Sequence, residues 1–449
     1  MKKICWLCLV VMLACFCGFV GLGEEAPVLS FAASRGSVNG GFVFDLQVTA
    51  SPAPQADVTI RLKDSRGREY TGLMPAGSRK VSLPIPTEPV EESQALVLSL
   101  QPSDGAAAGK KGQFTLQIQP LPKVSFFRRV NVGFTGKKMS VQVSCGNAGA
   151  ILADNNVFQL RDHTGAVLAE KAWKNPRQNL NFQIDVTPAL EGRHDLSVWL
   201  GEYCVSPTEF GSMTDASRKV LQSVNTKEPY MAVTLDCNWY NSHGLEILDV
   251  LDKHGVKCTF FMTGNYLRLF PDTAREIQAR GHEIANHSNT HMRQTELGDY
   301  TKLREILKPI DEAEKLLGVR PRLFRPPYGS FDKTTTAIAR GAGMEVCMWS
   351  IDSHDWDVKL QQKPETVINR AKKNAGPGSI VLFHLDGYHT AEILDQVIPY
   401  YQEELGLTCV PVTKLMALEG RELPPLPADE PPLILEDGDD MPSAPGAPG

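Results

Sequence analysis

Seven short apolar, β-prone runs recur in the C-terminal half of the chain, near residues 231–236, 258–262, 283–286, 322–325, 345–350, 379–383 and 408–411. Helical patterns lie between them. In the longest, Leu303, Ile306, Leu307, Ile310, Ala313, Leu316 and Leu317 fall three and four apart, and Pro309 is expected to kink that helix. Strands separated by helix-length segments cannot pair as hairpins; they pair in parallel and carry their helices outside. No other feature limits the fold as much. It predicts a distorted (β/α)7-type barrel, one repeat short of the usual eight. Such barrels keep their chemistry at the C-terminal ends of the strands. Here those ends carry Asp236, His287-Ser288-Asn289-Thr290-His291, Arg325-Pro326-Pro327-Tyr328, Asp352-Ser353-His354-Asp355-Trp356 and Leu382-Phe383-His384. If the second cluster forms a helical turn, its two imidazoles share a face and can grip one divalent metal.

The N-terminal half reads differently. Over residues 26–120, runs such as Val43-Phe44-Asp45-Leu46-Gln47-Val48 and Val58-Thr59-Ile60-Arg61-Leu62 alternate, with turn-formers such as Asn39-Gly40 between them. That is the texture of a β-sandwich. A second sandwich is expected over 123–208 and a polar linker over 209–227, with the barrel covering 228–418. The Pro-rich, acidic tail at 424–449 should be disordered. The fold class is therefore multidomain, with all-β sandwich domains ahead of an α/β barrel.

A chain of 449 residues exceeds one compact core. A net charge of -6, with no basic patch interleaved with aromatics, argues against a nucleic-acid partner. Lys2 and Lys3 precede an apolar run from Ile4 to Leu22, which predicts an export signal over residues 1–23. An uncleaved anchor, or a lipid on Cys15, are the alternatives, so membrane attachment is expected only through the N-terminus. Of 10 cysteines, Cys5, Cys8, Cys15 and Cys17 lie in that leader. Cys145 and Cys204 are the candidate disulfide of an exported protein, while Cys258, Cys347 and Cys409 sit in apolar runs as buried thiols.

Taken together, Thr234-Leu235-Asp236, His287-Ser288-x-x-His291, Arg325-Pro326-Pro327-Tyr328, Asp352-x-x-Asp355-Trp356 and Leu382-Phe383-His384 resemble the polysaccharide deacetylase family, carbohydrate esterase family 4. "KCTFFMTGN" and "GHEIANHSNTH" add to the likeness, which covers about 228–418. More loosely, residues 26–120 resemble Calx-beta, immunoglobulin-like sandwiches, with too few acidic residues to carry over a calcium site. The family resemblance implies hydrolysis of N-acetyl groups on an amino-sugar polymer with a divalent metal, commonly zinc. It implies Asp236 as general base, held ionised by Arg325, and His287 and His291 as metal ligands. It implies His384 as general acid tuned by Asp355, Tyr328 as a backbone donor to the oxyanion, and Trp356 and Leu382 as walls of the acetyl pocket. The chemistry is coherent: an amide is a poor electrophile, so a metal must polarise it and acidify water while a carboxylate and an imidazolium move protons.

One position departs from that pattern. The family's usual second Asp is Cys237 here. The thiolate could ligate zinc, the side chain could merely pack, or the barrel could be a glycan-binding protein with little turnover. An amidase acting on a non-sugar C–N bond also fits the barrel, because fold alone does not fix the substrate.

Overall fold

The computed structural model describes residues 26–102, 106–127, 138–187, 190–215, 218–241 and 243–426. The expected leader, Cys15 and the tail beyond residue 426 lie outside the described residues. The described residues form two compact units, one from those up to Lys123 with Cys145–Val157 and Ala172–Gln178, the other from the rest of the described residues.

The first unit is a sandwich. One sheet orders the strands Lys80–Pro86, Val43–Ser51, Val28–Phe31 and Ala107–Ala108; the other orders Arg35–Asn39, Gln113–Gln119, Gln94–Gln101, Val58–Asp64 and Glu69–Met74. Val58–Asp64 buries every second residue, so Val58, Ile60 and Leu62 join Phe31, Val48, Leu98 and Phe114 in one core.

In the second unit, a three-stranded sheet (Val124–Phe126, Lys138–Cys145, Leu180–Asp185) and a four-stranded sheet (Val167–Ala172, Val157–Arg161, Ser197–Leu200, Tyr203–Cys204) precede the barrel. Cys145 and Cys204 are both free thiols, so the expected disulfide is not formed. Their strands belong to different sheets, and each sulfur has a local partner: Cys145 Sγ is 3.4 Å from Asn147 Oδ1, and Cys204 Sγ is 3.2 Å from the Ser206 carbonyl. Cys258, Cys347 and Cys409 are buried free thiols.

The barrel strands are numbered β1 (Tyr230–Cys237), β2 (Thr259–Met262), β3 (Glu283–Asn286), β4 (Leu323–Phe324), β5 (Glu345–Val346), β6 (Ile351–Asp352), β7 (Ile380–His384) and β8 (Thr408–Cys409). The helices are α1 (Gly244–Lys253), α2 (Gly264–Leu269), α3 (Pro271–Ala279), α4 (Asp299–Leu317), α5 (Lys333–Gly341), α6 (Pro364–Lys372), α7 (Thr390–Pro399) and α8 (Val412–Ala417). All strand pairings are parallel, in the order β5-β4-β3-β2-β1-β7-β6, with β8 flanking the start of β1. Eight strands form instead of seven because the run 345–350 divides. Its start, β5, pairs with β4; β6, just past its end, pairs with β7. α4 buries Ile306, Leu307, Ile310, Ala313 and Leu317, stops at left-handed Gly318 and keeps Pro309 inside its length.

The gap between β5 and β6 is lined by part of the expected linker. Leu221 donates its N–H to the Val346 carbonyl (2.9 Å) and accepts from Met348 N (2.7 Å), and Val224 N reaches Gly378 O at 2.9 Å. Upstream, Ser212–Met213 pairs with Gly192–Arg193, and Ser212 Oγ donates to the Ala337 carbonyl of α5 at 2.7 Å. Among the described residues of 209–227, Phe210, Ser212, Met213, Leu221 and Val224 are therefore ordered and buried. A polar composition hid this, because the anchoring groups are mostly backbone.

Candidate active site

Asp236 lies on β1, in register with Phe261 of β2 and His384 of β7. It is buried, and its Oδ1 accepts from Arg325 Nη1 at 2.7 Å. The same Nη1 reaches Thr234 Oγ1 (3.0 Å), Nε reaches the Cys347 carbonyl (3.3 Å), and Nη2 reaches the Met348 carbonyl (3.1 Å). The guanidinium also lies 3.9 Å over the Phe261 ring. Here the divided run has its consequence: where β5 leaves the sheet, its carbonyls serve Arg325. A fully buried cation is tolerable because its donors are occupied and a carboxylate sits against it. Burial would raise the Asp236 pKa, but the groups around it, His287, Arg325 and His384, outweigh it and hold the carboxyl below its ordinary value.

The histidine pair is not on a helical turn. Residues 287–293 form a loop with left-handed backbone at Ser288 (φ 69°) and His291 (φ 63°). Such backbone is costly for non-glycine residues and needs support. Asn286 Oδ1 accepts from Ser288 N (2.8 Å), and Ser288 Oγ from His291 N (3.1 Å). The buried Glu305 of α4 accepts from Thr290 N and Oγ1 at 2.9 and 2.6 Å. From α2, Gly264 N and Asn265 N donate to the Ser288 and Asn289 carbonyls. The loop brings the two imidazoles to a centroid separation of 5.0 Å.

His287 Nδ1 is 2.8 Å from the Arg325 carbonyl, which can only accept, so Nδ1 carries the hydrogen. Burial pushes the His287 pKa down and takes that of His291 to about 3, so both rings are neutral. The lone pair on His287 Nε2 then faces Asp236 Oδ2 across 3.3 Å. Neutral imidazoles are the form that ligates metal, and the carboxylate beside them favours a cation there. The pair fits a divalent ion.

Cys237 packs on the other side of the strand. The strand's alternation sends Met231, Val233, Leu235 and Cys237 into the apolar cluster shared with Ile247, Phe260 and Tyr266. Among the described residues, no group of three or more His, Cys, Asp or Glu is arranged to hold a metal. The thiol is 0% exposed, and burial pushes its pKa well above the ordinary range. Iodoacetamide should therefore leave Cys237 unmodified with or without added zinc. Cys237→Ala should keep zinc affinity while costing about 1 kcal/mol of stability. Rapid alkylation of the metal-free protein at this position would overturn its core placement.

Across the site, His384 Nδ1 is 2.8 Å from Asp355 Oδ1. Asp355 is buried and also accepts from His384 N, Ser353 Oγ and Thr390 Oγ1, at 2.8, 3.1 and 2.8 Å. Burial alone would lower the His384 pKa, but the charge and hydrogen bond of Asp355, with Asp236 behind them, raise it to about 9. Trp356 is half exposed and stacks on His354 at 5.2 Å; Tyr328, with φ 58°, is also exposed, packs on His291 at 4.7 Å and lies under Arg293. Leu382 is buried, in register with Thr234. The sequence reading passed over Ser353 and Thr390, which fix Asp355, and Glu305, which fixes the histidine loop. It also passed over Asp386, whose carboxyl burial pushes up and whose charge bears on His384. Ser353, between two motif residues, was the one with a visible signal.

A parallel barrel with a buried carboxylate–arginine pair, two neutral histidines and a histidine–aspartate dyad at its strand ends defines a hydrolase-type site. The chain belongs to the polysaccharide deacetylase family. The family model described as polysaccharide deacetylase matches residues 223–347. The peptidoglycan-N-acetylmuramic acid deacetylase PdaA of Bacillus subtilis (strain 168) is 31% identical over 203 residues, 45% of this chain and 77% of that protein. The uncharacterized protein YlxY of the same organism is 33% identical over 192 residues, 43% of this chain. The chain spans 59% of the length of YlxY. Among solved structures, a CE4 family pseudoenzyme from Bacillus anthracis is 28% identical with a TM-score of 0.43, covering 49% of this chain and 76% of that one.

Proposed function

We propose that the chain hydrolyses N-acetyl groups on an amino-sugar polysaccharide of the cell envelope, using a divalent metal, zinc, held by His287 and His291. The observation that carries this reading is the placement of Asp236 and His384 side by side on β1 and β7, one carboxyl held ionised and one imidazole held protonated. When bound, the metal supplies polarisation of the amide carbonyl and lowers the pKa of water to about 7. Asp236, oriented by Arg325, takes the proton from water. His384, charged through Asp355, gives a proton to the departing amine nitrogen. The exposed rings of Trp356 and Tyr328 offer apolar faces to sugar at the rim, and the Tyr328 N–H serves the oxyanion. Leu382 walls the acetyl pocket. The PdaA relative supports a glycan substrate, and the basic, then apolar, N-terminus supports export. Among the described residues no helix is long and apolar enough to cross a membrane.

Acetate release by the full chain from acetylated peptidoglycan and chitin oligomers, with metal content measured alongside, tests the reading. No acetate from any of them, with zinc bound, would favour the second reading, a glycan-binding barrel with little turnover. The observation behind that alternative is Cys237, whose place in the core leaves the histidines without the family's second carboxylate.

The pH profile is a separate test. His384 must be protonated to act, so kcat/KM should fall as pH rises through about 9. Asp355→Asn removes the charge that raises this pKa, so the alkaline limb should move down towards the ordinary 6.5. An unmoved limb would exclude Asp355 as the group that tunes His384.

A further inference from the structure

We propose that Asn238 supplies the third protein donor to the metal, through its side-chain oxygen; this rests on the metal-dependent reading above. The strand's alternation separates Asn238 from Cys237. Thr263 N donates to the Cys237 carbonyl at 3.1 Å and Thr263 Oγ1 to the Asn238 carbonyl at 3.2 Å, so the strand's course is held one residue beyond its end. Positions two apart share a face. Asn238 therefore continues the row of Thr234 and Asp236, the two residues that Arg325 grips, while Cys237 continues the apolar row of Val233 and Leu235.

The second observation is an orphan atom. Asn238 is 8% exposed, and its Oδ1 is buried with no hydrogen-bond partner among the described residues. A buried amide oxygen left unpaired is destabilising, and proteins keep few of them. This one stands two residues from Asp236, at the end of the strand that faces His287. An amide oxygen is a hard neutral donor of the kind divalent cations accept. With two neutral imidazoles it completes a set of three neutral donors beside the Asp236 carboxylate. Such a set binds more weakly than one holding a second carboxylate and leaves the metal a stronger Lewis acid. Cys237 can then pack in the core at no loss to the site.

The test is zinc titration of the full chain by calorimetry, using zinc alone. Asn238→Ala should weaken affinity by roughly 10–100-fold, the range seen when groups around a metal are removed. Asn238→Asp should tighten it, because it adds charge at the same oxygen. Cys237→Ala should leave it unchanged. X-ray absorption of the zinc-loaded wild type and Asn238→Ala should show one light donor replaced by water, with lengthened disorder in that shell. Equal affinities for wild type, Asn238→Ala and Asn238→Asp would overturn the assignment, as would a loss in Asp386→Asn with none in Asn238→Ala. Should Asn238→Ala fail to fold, Asn238→Asp still decides through the direction of its shift. If zinc binding ignores Asn238 while acetate is still released, this inference fails and the proposed function stands. If Asn238 controls zinc binding but no acetate appears, the reverse holds.

Discussion

Arg325→Met is expected to cost about 3–5 kcal/mol of stability, the range for removing one partner of a buried ion pair. The loss has three sources on one side chain. Asp236 would keep a buried charge without its cation, and the Cys347 and Met348 carbonyls would lose their donor. The stacking on Phe261 would go as well. Arg325→Lys should recover only part, because an ammonium is a point and cannot serve a carboxylate and two carbonyls in a fixed fork. In Arg325→Met/Asp236→Asn the orphan charge disappears, so the double variant should be more stable than the sum of the singles. The acid side of the stability curve adds a sign. Asp236 titrates below its ordinary value, so its contribution is present above about pH 4 and fades as pH falls. Without Arg325 the folded pKa moves up towards or past the unfolded value, so that contribution should shrink or change sign. Denaturant unfolding of the full chain measures all of this, and a loss below about 1 kcal/mol would mean the barrel does not depend on the pair.

The strands were legible because each is a short apolar run: 231–236 and 379–383 were expected, and Tyr230–Cys237 and Ile380–His384 are found. The division of 345–350 was not legible. It depends on Arg325 drawing the carbonyls of residues 347 and 348 inward, and on Leu221 arriving from a distant part of the chain. Spacing of four put His287 and His291 together by the wrong route. A loop with left-handed Ser288 and His291 gives the same meeting as a helical turn, and neither residue announces positive φ as glycine would. The core packing of Cys237 was readable in the sequence: in Val233-Thr234-Leu235-Asp236-Cys237, alternation places Cys237 with Leu235 and against Asp236. Its identity beside Asp236 drew more weight than its parity. Glu305 and Thr390 had no local signal, because each matters only through a partner met in the folded state. Cysteine counting could not settle Cys145 and Cys204, since a disulfide needs Cα atoms within reach and spacing carries no such distance.

Asp236→Asn should lower kcat by about 10²- to 10⁴-fold while leaving the fold and the metal in place. The geometry explains why the change is so selective. Asparagine keeps the volume, and its oxygen can still accept from Arg325 Nη1. Its amide nitrogen then stands where Oδ2 now lies, 3.3 Å from His287 Nε2, and has no lone pair to offer a proton. Stability should fall too, because the buried Arg325 cation loses its counter-charge, but by less than in Arg325→Met, since the hydrogen bond from Nη1 is kept. What the amide lacks is a site to receive the proton of the attacking water. His384→Gln should also lower kcat, and it should abolish the fall in rate near pH 9 that its imidazolium imposes. The two losses should combine less than additively in free energy, because once either proton transfer is lost the other no longer limits the rate. Acetate release, zinc content and denaturant midpoints on the same preparations separate these effects. Full activity in Asp236→Asn would move the base to another residue, and an Asp236→Asn protein that loses zinc would make this carboxylate a ligand instead.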